Sequence, residues 1–254
     1  MIATLRNLKD RKGLFAQELR ECPDRLHLLS LDVGDEGERK AAVEFVGTQR
    51  GRLDVLINNA GYGLFGALED ISEPELRRQF EVNFFGAVFL IRDLLPLLRR
   101  SKGRVINVSS VAGTLGLPLS SAYCSSKFAL EGLSESLYYE ARPFGVQVCL
   151  VEPGRHRTEF SRHMAWGEKS REESSPYARM TENYLSRKNK LSERVVVPQE
   201  KVIRAILELT ETKYMPLRVP IGTDAWAVRL IKTLLPERLQ TALMRVVWKK
   251  ALGS

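Results

Sequence analysis

The segments "GRVINVS" (103–109) and "VQVCLVE" (146–152) are apolar almost throughout, and longer amphipathic stretches separate them from their neighbours. A strand with one wetted face alternates apolar and polar residues, whereas a strand buried on both faces need not. Similar short runs occur at Ile2–Arg6, Arg25–Leu31, Leu53–Asn58 and Leu217–Pro220. Helical patterns fall near residues 10–21, 35–50, 72–99, 121–142 and 199–211, the third opening on Ser72 and Pro74 as a cap and a first-turn proline do. Strands of this kind, each followed by a helix, predict an α/β fold with a parallel sheet covered on both sides.

Two stretches break the rhythm. Residues 155–198 are polar and charge-rich, too long for an ordinary connection, and read as an insertion that folds over a ligand. Residues 224–252 form a basic amphipathic segment carrying Trp226, Leu230, Leu234, Leu235, Leu239, Leu243, Val247 and Trp248. Two readings stand side by side for it: a helical pair packed on its own core or a partner subunit, and a peripheral contact with a membrane surface. The whole chain, 1–254, reads as a single domain.

Several functions are excluded early. The net charge of +8 comes from 39 basic residues offset by 31 acidic ones, with no basic stripe interleaved with aromatics, which argues against nucleic acid. Cys22, Cys124 and Cys149 have no CxxC spacing, and His27, His156 and His163 share no ligand spacing, so neither a disulfide framework nor a metal centre is expected. No apolar run approaches the ~20 residues that span a bilayer and no signal peptide is evident, so the expected location is cytoplasmic.

Chemistry concentrates in "VSSVAGTLGLPLSSAYCSSKFALEG" (108–132). Tyr123 and Lys127 fall at i and i+4 of a helix and share one face. A phenol with a reference pKa of about 10 is a poor base near neutrality, and an adjacent ammonium favours the phenolate. The pair suits proton transfer in a carbonyl/alcohol interconversion. Ser110, closing a strand, lies on the sheet edge where such folds bind ligands and can hold the substrate oxygen.

With "NNAG" (58–61), "VNFFG" (82–86), "LDV" (31–33) and "EPGRHRT" (152–158), this segment resembles the short-chain dehydrogenase/reductase family, and "YCSSKFALEGLSESL" resembles its branch of 17β-hydroxysteroid and retinol dehydrogenases. The likeness runs from the first residue to about 158. It implies a Rossmann-like doubly wound sheet and a tetrad of Asn83, Ser110, Tyr123 and Lys127. In it Tyr123 is the acid in reduction and Ser110 places the substrate oxygen. Lys127 holds the nicotinamide ribose and lowers the tyrosine pKa, and Asn83 positions a water. The resemblance further implies that Asp32 and Val33 meet the adenine and that Asn59, Ala60 and Gly61 pass along the cofactor ribose. Pro153, Gly154 and Thr158 line the nicotinamide, with His156 standing where the family often has an apolar residue. Assembly of copies through the helices near 72–99 and 121–142 is implied as well.

At the end of the first strand, in "ATLRN", no carboxylate is available for a ribose 2′-hydroxyl before Asp10. Arg6 stands there instead, which favours NADP(H) over NAD(H); the plainer alternative is an exposed arginine at a strand end. The family's opening strand, TGxxxGxG turn and first helix, which cradle the pyrophosphate, have no counterpart in the sequence. Gly61, Gly63 and Gly66 follow the NNAG strand and do not fit that motif. The expectation is a sheet lacking its central first strand, with Met1 a start placed inside the natural gene. Two functions are carried forward: an NADP(H)-dependent oxidoreductase acting on an apolar steroid-, retinoid- or lipid-like carbonyl or alcohol, and a non-catalytic binding or scaffold protein of the same fold.

Overall fold

The computed structural model describes residues 1–155, 164–191 and 197–252. Its main sheet is parallel throughout, in the order β3 (Val55–Asn58), β5 (Arg104–Val108), β6 (Gln147–Pro153) and β8 (Arg218–Ile221). A separate parallel pair joins β1 (Ile2–Leu5) to β2 (His27–Ser30). A third, two-residue pair joins β4 (Leu64–Phe65) to β7 (Ala165–Trp166). All six predicted strands are present, with ends moved by one or two residues.

The two-sided burial expected of β5 and β6 is realised. Val105 and Val148 face one way, into a cluster with Ile91, Leu98 and Ala141. Ile106, Cys149 and Val151 face the other, into a cluster with Val202, Leu209 and Met215. Leu98, Val105, Ile106, Val148 and Leu150 are fully buried, each such side chain worth roughly 1.5–3 kcal/mol relative to exposure.

The first cluster comes from α5 (Gly86–Ser101) and α6 (Ser121–Ala141), the second from α8 (Gln199–Glu211). Before them, α3 (Glu36–Arg50) is capped by the Asp35 carboxylate, which accepts from Glu38 N at 2.8 Å, and ends at Gly51 with φ 65°.

Between the two larger sheets the predicted gap is visible. β1 and β3 do not pair, and Ile57, in the middle of β3, is 42% exposed. Continuity comes from side chains instead: Leu31, Val33, Val82, Leu90 and Leu94 form one cluster that also touches Ile2, Leu53 and Leu56.

Two helical stretches differ from the sequence pattern. The helix expected over 10–21 is broken into α1 (Leu8–Arg11), a 3-10 turn (Lys12–Phe15) and α2 (Ala16–Glu21), which buries no residue. Gly13 in its middle and the lack of a buried face remove both propensity and packing. The helix expected over 72–99 is divided into α4 (Glu73–Phe80), a π turn (Glu81–Phe85) and α5. The Glu75 carboxylate caps α4, accepting from Ser72 N at 2.8 Å and Ser72 Oγ at 2.9 Å.

The long insertion is partly regular, since it contributes β7 and α7 (Ala178–Leu191). The C-terminal segment is a pair of helices, α9 (Thr223–Leu234) and α10 (Glu237–Leu252), separated at Pro236.

Candidate active site

The site lies beyond the C-terminal ends of β3, β5 and β6, the edge where open parallel sheets bind ligands. After β5 the chain turns through Val111–Gly113, and the Ser110 hydroxyl accepts from Ala112 N at 3.2 Å. That turn presents Ser110 to α6, where it hydrogen-bonds the buried Tyr123 phenol. One helical turn further along, Lys127 is also buried and donates its ammonium to Val108 O at 2.8 Å. Ser110 and Tyr123 are in contact, and Lys127 lies one helical turn from the tyrosine, held to the end of β5.

Their protonation differs from the sequence expectation. Burial pushes the Tyr123 phenol up to about 12, with the Ser110 hydrogen bond opposing it. Burial likewise draws the Lys127 ammonium down to about 8, against the pull of the Glu131 carboxylate. Lys127 was expected to lower the tyrosine. Here desolvation outweighs any such effect, and the ammonium is turned to a backbone carbonyl. The phenol is held in its neutral form, the form that donates a proton to a carbonyl being reduced.

Asn83 lies inside the π turn, a geometry that recurs at functional sites. Its Oδ1 accepts from Tyr62 N at 3.0 Å, while Nδ2 donates to Tyr62 O at 2.9 Å and Ser126 Oγ at 3.2 Å. Both amide hydrogens are therefore spent on protein, which leaves a water only the second lone pair of Oδ1 or the main-chain carbonyl. Gln79, one turn earlier and fully buried, accepts from Leu64 N at 2.7 Å and donates to Tyr62 O at 3.0 Å. Together these amides hold the strand-like segment that follows Gly61. Sequence reasoning passed over Gln79, although two amides at i and i+4 in "QFEVN" are a readable signal.

The expected cofactor residues group on two sides. Asn59, Ala60 and Gly61 are exposed, and a Cβ on Gly61 would lie 3.1 Å from Asn83 Oδ1 and 3.6 Å from Lys127 Nζ. The missing side chain leaves room beside Asn83 and Lys127, which fits a ribose. On the far side, partial burial would raise Asp32, but Gly34 N–H and the Arg78 guanidinium at 2.7 Å hold it below the usual carboxylate range. Arg6 is exposed after β1, and its charge reaches Asp32.

The Val33 side chain belongs to the core beneath Gly86, and its carbonyl accepts from Arg39 Nη1 at 2.6 Å, which leaves its N–H for the adenine expected there. Pro153 and Gly154 are buried at the end of β6, and Thr158 and His156 lie outside the described residues. Gly63 is buried, and Gly66, with φ 139°, packs against Ser170, so this glycine cluster serves packing and not phosphate.

Above Tyr123 lies an apolar wall. Phe65 stacks on its ring with centroids 5.9 Å apart, and Ala112, Cys124, Leu117, Met164 and Trp166 complete the group. β7 brings Trp166 there, since Leu64 and Phe65 pair with Ala165 and Trp166. Beside it a cleft of about 490 Å³ is lined by Ala67, Leu68, Leu117, Leu119, Tyr177 and Met180. The insertion was expected to cover the substrate. Its described part is clamped over this region by Ser175 Oγ, which donates to the buried Asp70 carboxylate at 2.8 Å.

Comparison with known proteins agrees with the geometry. The family model described as short chain dehydrogenase matches residues 2–168. A 3-ketodihydrosphingosine reductase of Bacteroides thetaiotaomicron is 44% identical over 138 residues, 54% of this chain and 51% of its own. Human 17-beta-hydroxysteroid dehydrogenase type 1 is 45% identical over 161 residues, 62% of this chain and 48% of its own. The matches thus span about half the length of these two curated relatives. A short-chain dehydrogenase structure from Streptomyces avermitilis, 36% identical, superposes with TM-score 0.79 over 98% of this chain and 86% of its own. With a family match over most of its length and the serine, tyrosine and lysine assembled at the sheet edge, the chain belongs to the short-chain dehydrogenase family.

Proposed function

We propose that this protein is an NADP(H)-dependent oxidoreductase that interconverts a ketone or aldehyde with its alcohol on an apolar, lipid- or steroid-like substrate. The observation that carries it is the contact of Ser110 and Tyr123 at the end of β5, with Lys127 one helical turn beyond. The nicotinamide, when bound, supplies hydride to the carbonyl carbon. Ser110 holds the carbonyl oxygen beside the phenol, and Tyr123 gives that oxygen its proton. The Lys127 ammonium, buried and near the bare backbone of Gly61, holds the ribose and stabilises the phenolate left behind.

Support for the cofactor's phosphate comes from charge. Arg6 and Arg78 bring two cations to the edge of Asp32, which suits a 2′-phosphate better than a bare ribose. Support for the substrate comes from the wall of Phe65, Leu117, Met164 and Trp166 around Tyr123, and from the chemistry named for the two curated relatives, both acting on oxygenated lipids or steroids. The reading includes a second copy of the chain against the helical stretch 72–99 and α6, which expose Phe85 of the π turn and Phe128 and Tyr139 of α6.

The test is Tyr123→Phe assayed with NADPH and a panel of apolar carbonyls. Turnover is expected to fall by about 10²- to 10⁴-fold while NADPH fluorescence titration is unchanged. Undiminished turnover overturns the mechanism. Failure of the parent chain to bind NADPH or NADH favours the scaffold reading instead.

A further inference from the structure

We propose that the outer face of the C-terminal helix pair docks on an anionic phospholipid surface. On α9, Trp226, Leu230 and Leu234 recur every four residues and are 59%, 60% and 66% exposed. On α10, Leu239, Leu243, Val246 and Val247 repeat at helical spacing and are also exposed. These seven large apolar side chains lie on consecutive helices, joined only through Pro236. Soluble proteins seldom leave so many on one contiguous element.

The occupant is indicated by charge. At roughly 100° per residue, Arg238, Arg245 and Lys249 share one flank of α10, next to its apolar stripe. Lys232 is exposed on α9 too, but on the side away from its apolar stripe, and Arg229 leans toward Glu152 at 3.7 Å. Across Thr223–Lys249 the described carboxylates are Glu237, which is exposed, and Asp224, which is turned to the main chain of Arg155. An apolar stripe edged by cations complements a surface of acyl chains beneath anionic headgroups, with Trp226 at the boundary. A second copy of the same face would set these cations against each other.

Among the described residues no helix is long and apolar enough to cross a membrane, so the contact lies along the surface. α10 packs on α7, half-burying Met244 and Trp248, and Met180 of α7 lines the cleft beside Tyr123. Docking therefore brings lipid to within one helix of the cleft. That last consequence rests on the proposed function, whereas the docking itself does not.

The experiment is co-sedimentation of the full chain with phosphatidylcholine vesicles, with and without phosphatidylglycerol. The parent protein is expected to pellet with the anionic vesicles and to be released by salt. Arg245→Gln with Lys249→Gln weakens that binding about thirtyfold, and Leu243→Ser with Val247→Ser abolishes it. Circular dichroism and reduction of a water-soluble carbonyl are unchanged in both variants, separating loss of docking from loss of fold or of the oxidoreductase reading. Equal recovery with neutral and anionic vesicles, or no recovery at all, overturns the proposal. So does light scattering that shows a stable dimer dissociated by Leu243→Ser with Val247→Ser.

Discussion

Lys127 donates its ammonium to the carbonyl of Val108 at 2.8 Å, which ties the Tyr123–Lys127 face of α6 to the end of β5. The bond satisfies one proton of a buried cation, and desolvation still draws its pKa from 10.5 to about 8. That change corresponds to about 3 kcal/mol set against folding while the group is charged. Below pH 8 both states hold the proton and the cost is complete. Between 8 and 10.5 the unfolded chain binds more protons, so stability rises with pH; above 10.5 the cost is gone.

Lys127→Met is therefore expected to abolish turnover and yet raise the melting temperature near neutrality. Subtracting about 1 kcal/mol for the lost hydrogen bond leaves about 2 kcal/mol, or about 5 °C for a chain of this size. Thermal unfolding from pH 7 to pH 10.5 checks it. The variant should lack the rise between 8 and 10.5 that the parent shows.

Asn83→Ala is expected to act through the backbone. It removes the acceptor of Tyr62 N, while Gln79 continues to serve Tyr62 O. One half-buried N–H left without a partner costs about 1 kcal/mol. Because Gly61 abuts this amide, cofactor affinity should fall together with stability. Urea denaturation and NADPH titration read the two effects, and an unchanged cofactor Kd would separate Asn83 from the binding groove.

Much of this site was legible because its parts are local. Tyr123 and Lys127 share a helix, and Ser110 ends a strand whose two-sided apolar pattern announced a parallel sheet. The break in the helix over 72–99 was not legible, since its apolar period runs unbroken through the π turn at Asn83. Nor was the pairing of Leu64 and Phe65 with Ala165 and Trp166, because two-residue strands a hundred positions apart carry no periodicity. Protonation was misjudged for a related reason. Sequence spacing reports which charges are near, while the desolvation that governs Tyr123 depends on Phe65 and the rest of the wall.

Arg218 gives a pH-dependent prediction. Its guanidinium bridges Glu131 at 2.9 Å, Glu135 at 2.8 Å and Glu152 at 3.3 Å. Burial raises both buried carboxyls, and with Glu131 nearby Glu152 is pushed up to about 7, despite Arg229 and Arg218. Arg218→Met takes from Glu131 and Glu152 their nearest cation, leaving Arg229 at 3.7 Å beside Glu152, and is expected to cost about 3 kcal/mol at pH 8. The folded state then holds protons that the unfolded chain releases above about 4.5. The variant's deficit should be small below that value and grow as pH rises through 7. Chemical denaturation at pH 5 and pH 8 checks it; an equal deficit at both would show that packing, not charge, sets the role of Arg218.

Gly154 and Asp224 make the sharpest pair for a double-mutant cycle. Gly154 N donates to Ile221 O at 2.8 Å, fixing the end of β6 against β8. The Asp224 carboxylate fills the space above it, where a Cβ on Gly154 would come within 1.9 Å of Oδ1. The same carboxylate accepts from Arg155 N at 2.7 Å, so it also sets how the chain leaves β6. Gly154→Ala must displace Asp224, at a cost of about 2–3 kcal/mol from overpacking and the broken hydrogen bond. Asp224→Ala alone loses the hydrogen bond but opens the space, costing about 1–2 kcal/mol. In the double variant the clash is gone, so the total should fall short of the sum by 1 kcal/mol or more, on the order expected for residues in contact. Activity should drop in both single variants and not return in the double one, because Arg155 N still lacks its acceptor. Additive stabilities across the cycle would show that the two residues do not share this space in solution.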